Sequence, residues 1–125
     1  GSGDTFIEDF TAKRLEDETM EGYDCFKVEL VRKEDSDVSY SRIIMWVIKD
    51  NFYPIVLDYY NEDNSDLHEK RLVQSDIRTI DGIPTAMKAV MYNKRDNSQT
   101  KMEILNIEYN ISLEDNMFTE RTLKK

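Results

Sequence analysis

Several residue types that define a binding or catalytic chemistry are scarce in this sequence. It has one cysteine, Cys25, and one histidine, His68, in 125 residues. A single cysteine excludes an internal disulfide and a cysteine-based metal site, and a single histidine excludes a zinc site built from several histidines. No stretch approaches the ~18 apolar residues of a membrane span. Since no nucleophile–base pair or metal cluster is evident, we expect neither enzymatic activity nor a cofactor.

Positive charge is also in short supply. Seventeen Lys and Arg residues stand against 26 Asp and Glu residues, which gives a formal net charge of −9. Proteins that bind nucleic acid or anionic membrane surfaces use clustered Lys and Arg, so the charge argues against both partners. The excess of acid is typical of a solubilising surface, and a basic partner stays open.

Glycine and proline are rare, at four and two residues, and two of the glycines lie in Gly1-Ser2-Gly3. That opening tripeptide is typical of an expression scar, so residues 4–125 are predicted to form the domain. A chain of this size has room for one hydrophobic core. Five Phe, seven Tyr and one Trp supply anchors for it, whereas disordered segments are poor in aromatics.

Apolar and polar residues alternate with a period of two along most of the chain, as in strands with one buried face. The runs are residues 23–32, 40–49, 54–60, 100–112 and one that begins at Thr85, with less regular runs at 6–15 and 67–80. The run at 40–49 is apolar on both faces, which predicts a central strand. Polar loops at residues 33–37, 61–66 and 93–98 and the dipeptide Asp81-Gly82 are typical of hairpin turns. The pattern predicts an all-β fold, a curved antiparallel meander of about seven strands.

Several motifs, in order, resemble the outer-membrane lipoprotein-sorting protein family, the LolA-like group. They are Gly22-Tyr23-Asp24-Cys25-Phe26, Tyr40-Ser41-Arg42-Ile43-Ile44-Met45-Trp46-Val47, Tyr53-Pro54, Asp58-Tyr59-Tyr60, Ile80-Asp81-Gly82-Ile83-Pro84-Thr85 and Met117-Phe118-Thr119-Glu120-Arg121-Thr122-Leu123. The resemblance covers most of residues 5–123. It is to the C-terminal part of the fold, because the family's first strands and covering helix have no counterpart here.

The resemblance implies an open half β-barrel whose concave apolar face binds acyl chains or lipidated proteins in the periplasm. Alternation places a set of apolar residues on what would be that face, including several of the six methionines, whose thioethers adapt to irregular ligands. The predicted ligand-binding residues are Phe26, Val28, Leu30, Met45, Val47, Ile55, Leu57, Tyr59, Met87, Met91, Leu105, Ile107 and Tyr109. An ordinary core or a subunit interface would give the same pattern.

Other candidate sites have simpler explanations. Asn61, Asp63 and Ser65 resemble the start of a calcium loop, but an EF-hand needs glycine at its sixth position and glutamate at its twelfth, and Asp66 and Leu72 stand there. A hairpin tip is favoured. His68 is interpreted as a solvated surface residue, and Cys25 as a buried or idle thiol.

Two functions remain open from the sequence. The first is a non-catalytic periplasmic module that binds lipid acyl chains or a lipidated protein. The alternative is an assembly module whose apolar face and free strand edges are buried in a homodimer or an envelope complex. A monomer with bound acyl chains would favour the first, and a dimer without lipid the second.

Overall fold

A computed structural model of the chain describes residues 8–61 and 68–107. They form strands β1 Phe10–Met20, β2 Tyr23–Arg32, β3 Arg42–Ile48, β4 Pro54–Tyr60, β5 Lys70–Ile80, β6 Ile83–Asn93 and β7 Ser98–Glu103. Each strand pairs antiparallel with its neighbours in the chain, in the order β1-β2-β3-β4-β5-β6-β7. The predicted all-β meander of about seven strands is therefore confirmed. In the described residues the sheet is open, since β1 and β7 do not pair with each other.

Two of the hairpins have two-residue turns in which both residues have positive φ. The φ angles are 54° and 83° at Glu21 and Gly22, and 52° and 81° at Asp81 and Gly82. This is the backbone of a type I′ turn, whose twist matches that of the flanking strands. Asp81-Gly82 is the turn dipeptide predicted from the sequence.

The register divides the side chains between two faces, because directly opposed residues point the same way. One face, here called the methionine face, carries Phe26, Val28, Leu30, Ile43, Met45, Val47, Leu57, Tyr59, Leu72, Met87, Met91 and Met102. The other, the tryptophan face, carries Cys25, Lys27, Glu29, Ile44, Trp46, Ile48, Val56, Asp58, Arg71, Val73, Tyr92 and Gln99.

Each face has its own buried cluster. On the tryptophan face it comprises Cys25, Ile44, Trp46, Ile48, Ile55 and Val56. On the methionine face it comprises Phe10, Leu30 and Ile43, with half-buried neighbours that include Val38 and Tyr40 from the β2–β3 connection. Strand β3 contributes to both clusters, as its apolar residues on both faces predicted.

The sheet curls toward the tryptophan face. Glu21, in the β1–β2 turn, lines one cleft together with Tyr92 of β6 and Asn97 of the β6–β7 turn. Glu18 and Glu21 also act electrostatically on Arg71 of β5, although β2, β3 and β4 separate that strand from β1. Because side chains of such distant strands approach over the tryptophan face, that face is the concave side and the methionine face is the convex side.

Candidate functional site

Most of the predicted ligand-binding residues lie together on the methionine face. Neighbouring strands pair Phe26 with Val47, Val28 with Met45, and Met45 with Leu57. Leu30 and Tyr59 both oppose Ile43. Met91 opposes Leu72, which in turn opposes Leu57. Met87 lies four residues before Met91 on the same side of β6. The result is an apolar surface that runs from β2 to β6.

The predicted placement of Ile55 is wrong. The register shifts between Trp46 and Val47, which pair with Val56 and Pro54, so Ile55 is the extra residue of a β-bulge. It is fully buried and packs in the cluster of the tryptophan face. Alternation identifies a face only where no bulge interrupts it.

The predicted strand over residues 100–112 is also wrong at residues 104–107, and residues 108–112 lie outside the described residues. Strand β7 ends at Glu103, so Leu105 and Ile107 lie beyond the sheet, and Leu105 is exposed. Tyr109 lies outside the described residues.

The expectation that the apolar set lines the concave side is corrected as well, since the methionine face is convex. The concave face has an apolar floor, but long side chains cover it. The indole nitrogen of Trp46 donates to Glu18 over 2.9 Å, the ammonium of Lys27 lies 3.2 Å from Glu18, and the guanidinium of Arg71 lies 5.7 Å from the Trp46 ring centroid. The hydrogen bonds from Trp46 and Lys27 hold the pKa of the Glu18 carboxyl below its ordinary value. Beneath these side chains Trp46 is 5% exposed.

The accessible apolar surface is at the β6–β7 end of the methionine face. At the β2–β4 end, Val38 and Tyr40 cover the sheet, and the Tyr40 and Tyr59 rings lie 4.9 Å apart. Met102 in β7, opposite Ala89, is 50% exposed. A pocket of about 220 Å³ lies beside it, lined by Gln74, Ala86, Met87, Lys88, Ala89, Met102 and Ile104.

A buried ion pair lies on the concave face. Asp58 of β4 is 2% exposed and accepts two hydrogen bonds from Arg71 of β5, at 2.6 Å from Nε and 2.8 Å from Nη2. The hydrogen bonds from Arg71 to Asp58 raise the pKa of the guanidinium. A bidentate pair of this kind fixes both side chains.

His68 adjoins this pair, and its interpretation as a solvated surface residue is wrong. Its side chain is 14% exposed, with Nδ1 3.6 Å from Asp58 Oδ2. The ring meets Tyr60 edge to face, with 6.3 Å between centroids. Burial lowers the pKa of His68, and the positive charges of Arg71 and Lys94 lower it further. The negative charge of Asp58 acts in the opposite direction but is outweighed. His68 is therefore a neutral imidazole at neutral pH.

The lowered pKa of His68 predicts a loss of stability in acid. The unfolded chain takes up the proton first, near the ordinary pKa of ~6.5. The contribution of His68 to stability is therefore full above that pH and is lost as the pH falls through the lower folded-state value. We expect the urea midpoint to fall more between about pH 7.5 and pH 5 in the parent protein than in His68→Phe. Equal falls would contradict the assignment, and the carboxylates that do not adjoin His68 cancel in the comparison.

Of the two remaining sequence candidates, only Cys25 lies within the described residues, since Asp63 and Ser65 of the calcium-like loop lie outside them. Cys25 is 0% exposed, and its burial raises the pKa of its thiol, which is unfavourable for a nucleophile. Within residues 8–61 and 68–107, no group of His, Cys, Asp and Glu side chains is arranged to hold a metal ion. The same residues contain no helix long and apolar enough to cross a bilayer.

The comparisons with known proteins support the same fold. A family model described as "Uncharacterized protein" matches residues 2–125. No curated protein matches the chain. A DUF1329 family protein from Desulfovibrio piger superposes with a TM-score of 0.80 at 28% identity, over 94% of this chain and 48% of its own.

Two further solved structures share the fold. A domain from Vibrio parahaemolyticus described as an outer membrane lipoprotein-sorting protein has a TM-score of 0.77 at 23% identity, over 95% of this chain and 50% of its own. A LolA superfamily protein from Nitrosomonas europaea has a TM-score of 0.63 at 21% identity, over 77% of this chain and 42% of its own. The chain thus spans about half the length of these proteins, and none of the three is described as an enzyme.

Proposed function

This chain belongs to the family whose model matches residues 2–125 and has the LolA-like open half barrel, and from that premise we propose that it is a non-catalytic module of the periplasm or cell envelope. It binds lipid acyl chains or a lipidated protein on the methionine face. The observation that carries this proposal is the apolar surface that runs across the sheet to the half-exposed Met102 and its pocket. The Vibrio parahaemolyticus domain is described as an outer membrane lipoprotein-sorting protein, and this description supports the envelope location.

Recognition on this face rests on burial of apolar area. Each Å² of apolar surface removed from water contributes about 25 cal/mol. Met87 and Met102 line the pocket at the β6–β7 end, and their flexible thioethers fit chains of varied shape.

The proposal predicts that lipid remains bound to the purified protein. Native mass spectrometry before delipidation should give a monomer with added mass that matches fatty acid or phospholipid. A clean dimer without adducts would support the second candidate function, assembly through the methionine face. In that case the half-exposed Met102 would be buried against the second copy.

Adjacent residues of β7 give a matched pair of variants. Met102 lies on the methionine face opposite Ala89, and Lys101 lies on the other face opposite Val90. Met102→Glu and Lys101→Gln each lower the net charge by one. We expect Met102→Glu to weaken binding of a dansyl-labelled fatty acid by about tenfold, since it removes the apolar contact of the half-exposed methionine and places a carboxylate against the acyl chain. Lys101→Gln should bind as the parent does. Equal effects of the two variants would place the lipid elsewhere.

A further inference from the structure

A polar cleft of about 410 Å³ opens over the concave face, on the opposite side of the sheet from the proposed lipid surface. Three parts of the chain form it: the β1–β2 turn, the adjoining strands β5 and β6 with His68 beside them, and the β6–β7 hairpin. The lining includes Glu21, Arg71, Tyr92, Lys94, Asn97 and Gln99. The two turns belong to opposite ends of the sheet, so the curl of the sheet creates the cleft.

The formal charges that line this cleft balance. The charge of Arg71 is matched by that of the buried Asp58. Lys94 and Glu21 have opposite signs, and the pKa of His68 is lowered so that the imidazole is neutral at neutral pH. A cleft without net charge, in a chain whose net charge is −9, gives an ion no local attraction. A neutral ligand has no charge to desolvate on entering it.

The uncharged lining combines donors and acceptors. Asn97 and Gln99 each have a carbonyl that accepts and an amide group that donates. Tyr92 is 38% exposed and offers a ring face. The Nε and Nη2 atoms of Arg71 are held by Asp58, so the guanidinium is fixed before any ligand arrives. Such a fixed donor loses little conformational entropy on binding.

We propose that this cleft binds a neutral, hydroxyl-rich small molecule of the monosaccharide class. Each hydroxyl of such a ligand both donates and accepts, which matches the amide side chains. The apolar face of the sugar ring stacks on Tyr92. This binding site is separate from the methionine face and does not depend on lipid binding.

The sole histidine makes the site directly observable. The ring nitrogens of His68 give the only imidazole signals in a ¹⁵N NMR spectrum of the chain. The protein is titrated separately with glucose, galactose, mannose, N-acetylglucosamine and inorganic phosphate. We expect a saturable shift of the His68 signals with at least one sugar and none with phosphate. A response to phosphate alone, or to none of the probes, would overturn the proposal.

Neighbouring residues of β7 supply the control. Gln99 lies opposite Tyr92 in the cleft, and Thr100 lies opposite Met91 on the other face. Gln99→Ala should weaken binding of the responding sugar about two- to tenfold, the effect of one neutral hydrogen bond. Thr100→Ala should leave it unchanged. Equal weakening by both variants would also overturn the proposal.

Discussion

We expect the Arg71→Met variant to lose about 3–5 kcal/mol of unfolding free energy, a large part of the ~5–15 kcal/mol that stabilises a typical domain. The variant keeps the aliphatic part of the side chain but removes the guanidinium. The Asp58 carboxylate, 2% exposed, then loses both of its hydrogen bonds from Arg71. A buried charge without its partner is far less stable than the pair or than two neutral groups. Urea denaturation followed by circular dichroism measures the loss.

Two controls separate this effect from a general sensitivity of β5. Arg78, in the same strand, pairs with Asp76 at the surface, where the arginine side chain is 62% exposed. Because exposed pairs contribute roughly 0–1 kcal/mol, Arg78→Met should have little effect. The double variant Asp58→Asn/Arg71→Met should lose less than Arg71→Met alone, since it leaves a neutral amide in place of the unpaired charge. A double variant as unstable as the single one would contradict the buried-charge explanation.

Trp46→Ala is the second substitution with a large expected effect, about 3–5 kcal/mol of unfolding free energy. Trp46 is buried in β3 at the centre of the concave floor, and its removal leaves a cavity beneath Lys27 and Arg71. It also deprives Glu18 of the indole hydrogen bond. Urea denaturation followed by circular dichroism is suitable here, because the variant lacks the tryptophan that fluorescence would use.

The expected order of variants tests this explanation. Trp46→Phe keeps an aromatic ring and loses the hydrogen bond and part of the packing, so we expect a smaller cost of about 1–2 kcal/mol. Phe52 is 70% exposed, so Phe52→Ala should lower the unfolding free energy by much less than Trp46→Phe does. If Phe52→Ala proved as harmful as Trp46→Ala, burial in the floor would not be the cause.

The strands could be predicted from the sequence wherever alternation coincided with a continuous ladder of hydrogen bonds. Residues 23–32 and 54–60 were predicted with the bounds that β2 and β4 have. The prediction failed at Leu105 because alternation describes side chains, whereas a strand also needs a backbone partner. The β6–β7 register ends with Glu103 opposite Lys88, just before Ile104 donates to the carbonyl of Met87 over 2.8 Å.

The candidate site was less predictable, because it depends on register and on the direction of curl. The bulge beside Trp46 moved Ile55 to the other cluster, and nothing in the period-two pattern marks such an extra residue. Asp58 and Arg71 become partners only through the β4–β5 register. The apolar pattern also contains no information on which face is concave. The one sequence signal for this pair is the opposite charge of Asp58 and Arg71, which lie on strands that are neighbours in the chain.

Because of this strand order, the stability of the sheet is close to a sum of contributions from successive strand pairs. Each described strand pairs with the strands that adjoin it in the chain, so releasing an end strand breaks one interface, whereas releasing a middle strand breaks two. Amide protons should consequently exchange slowest in β3 and β4, where the core residues concentrate, and fastest in β7, whose side chains are all exposed. The end of the sheet that carries Met102 is therefore expected to open locally more readily than the centre.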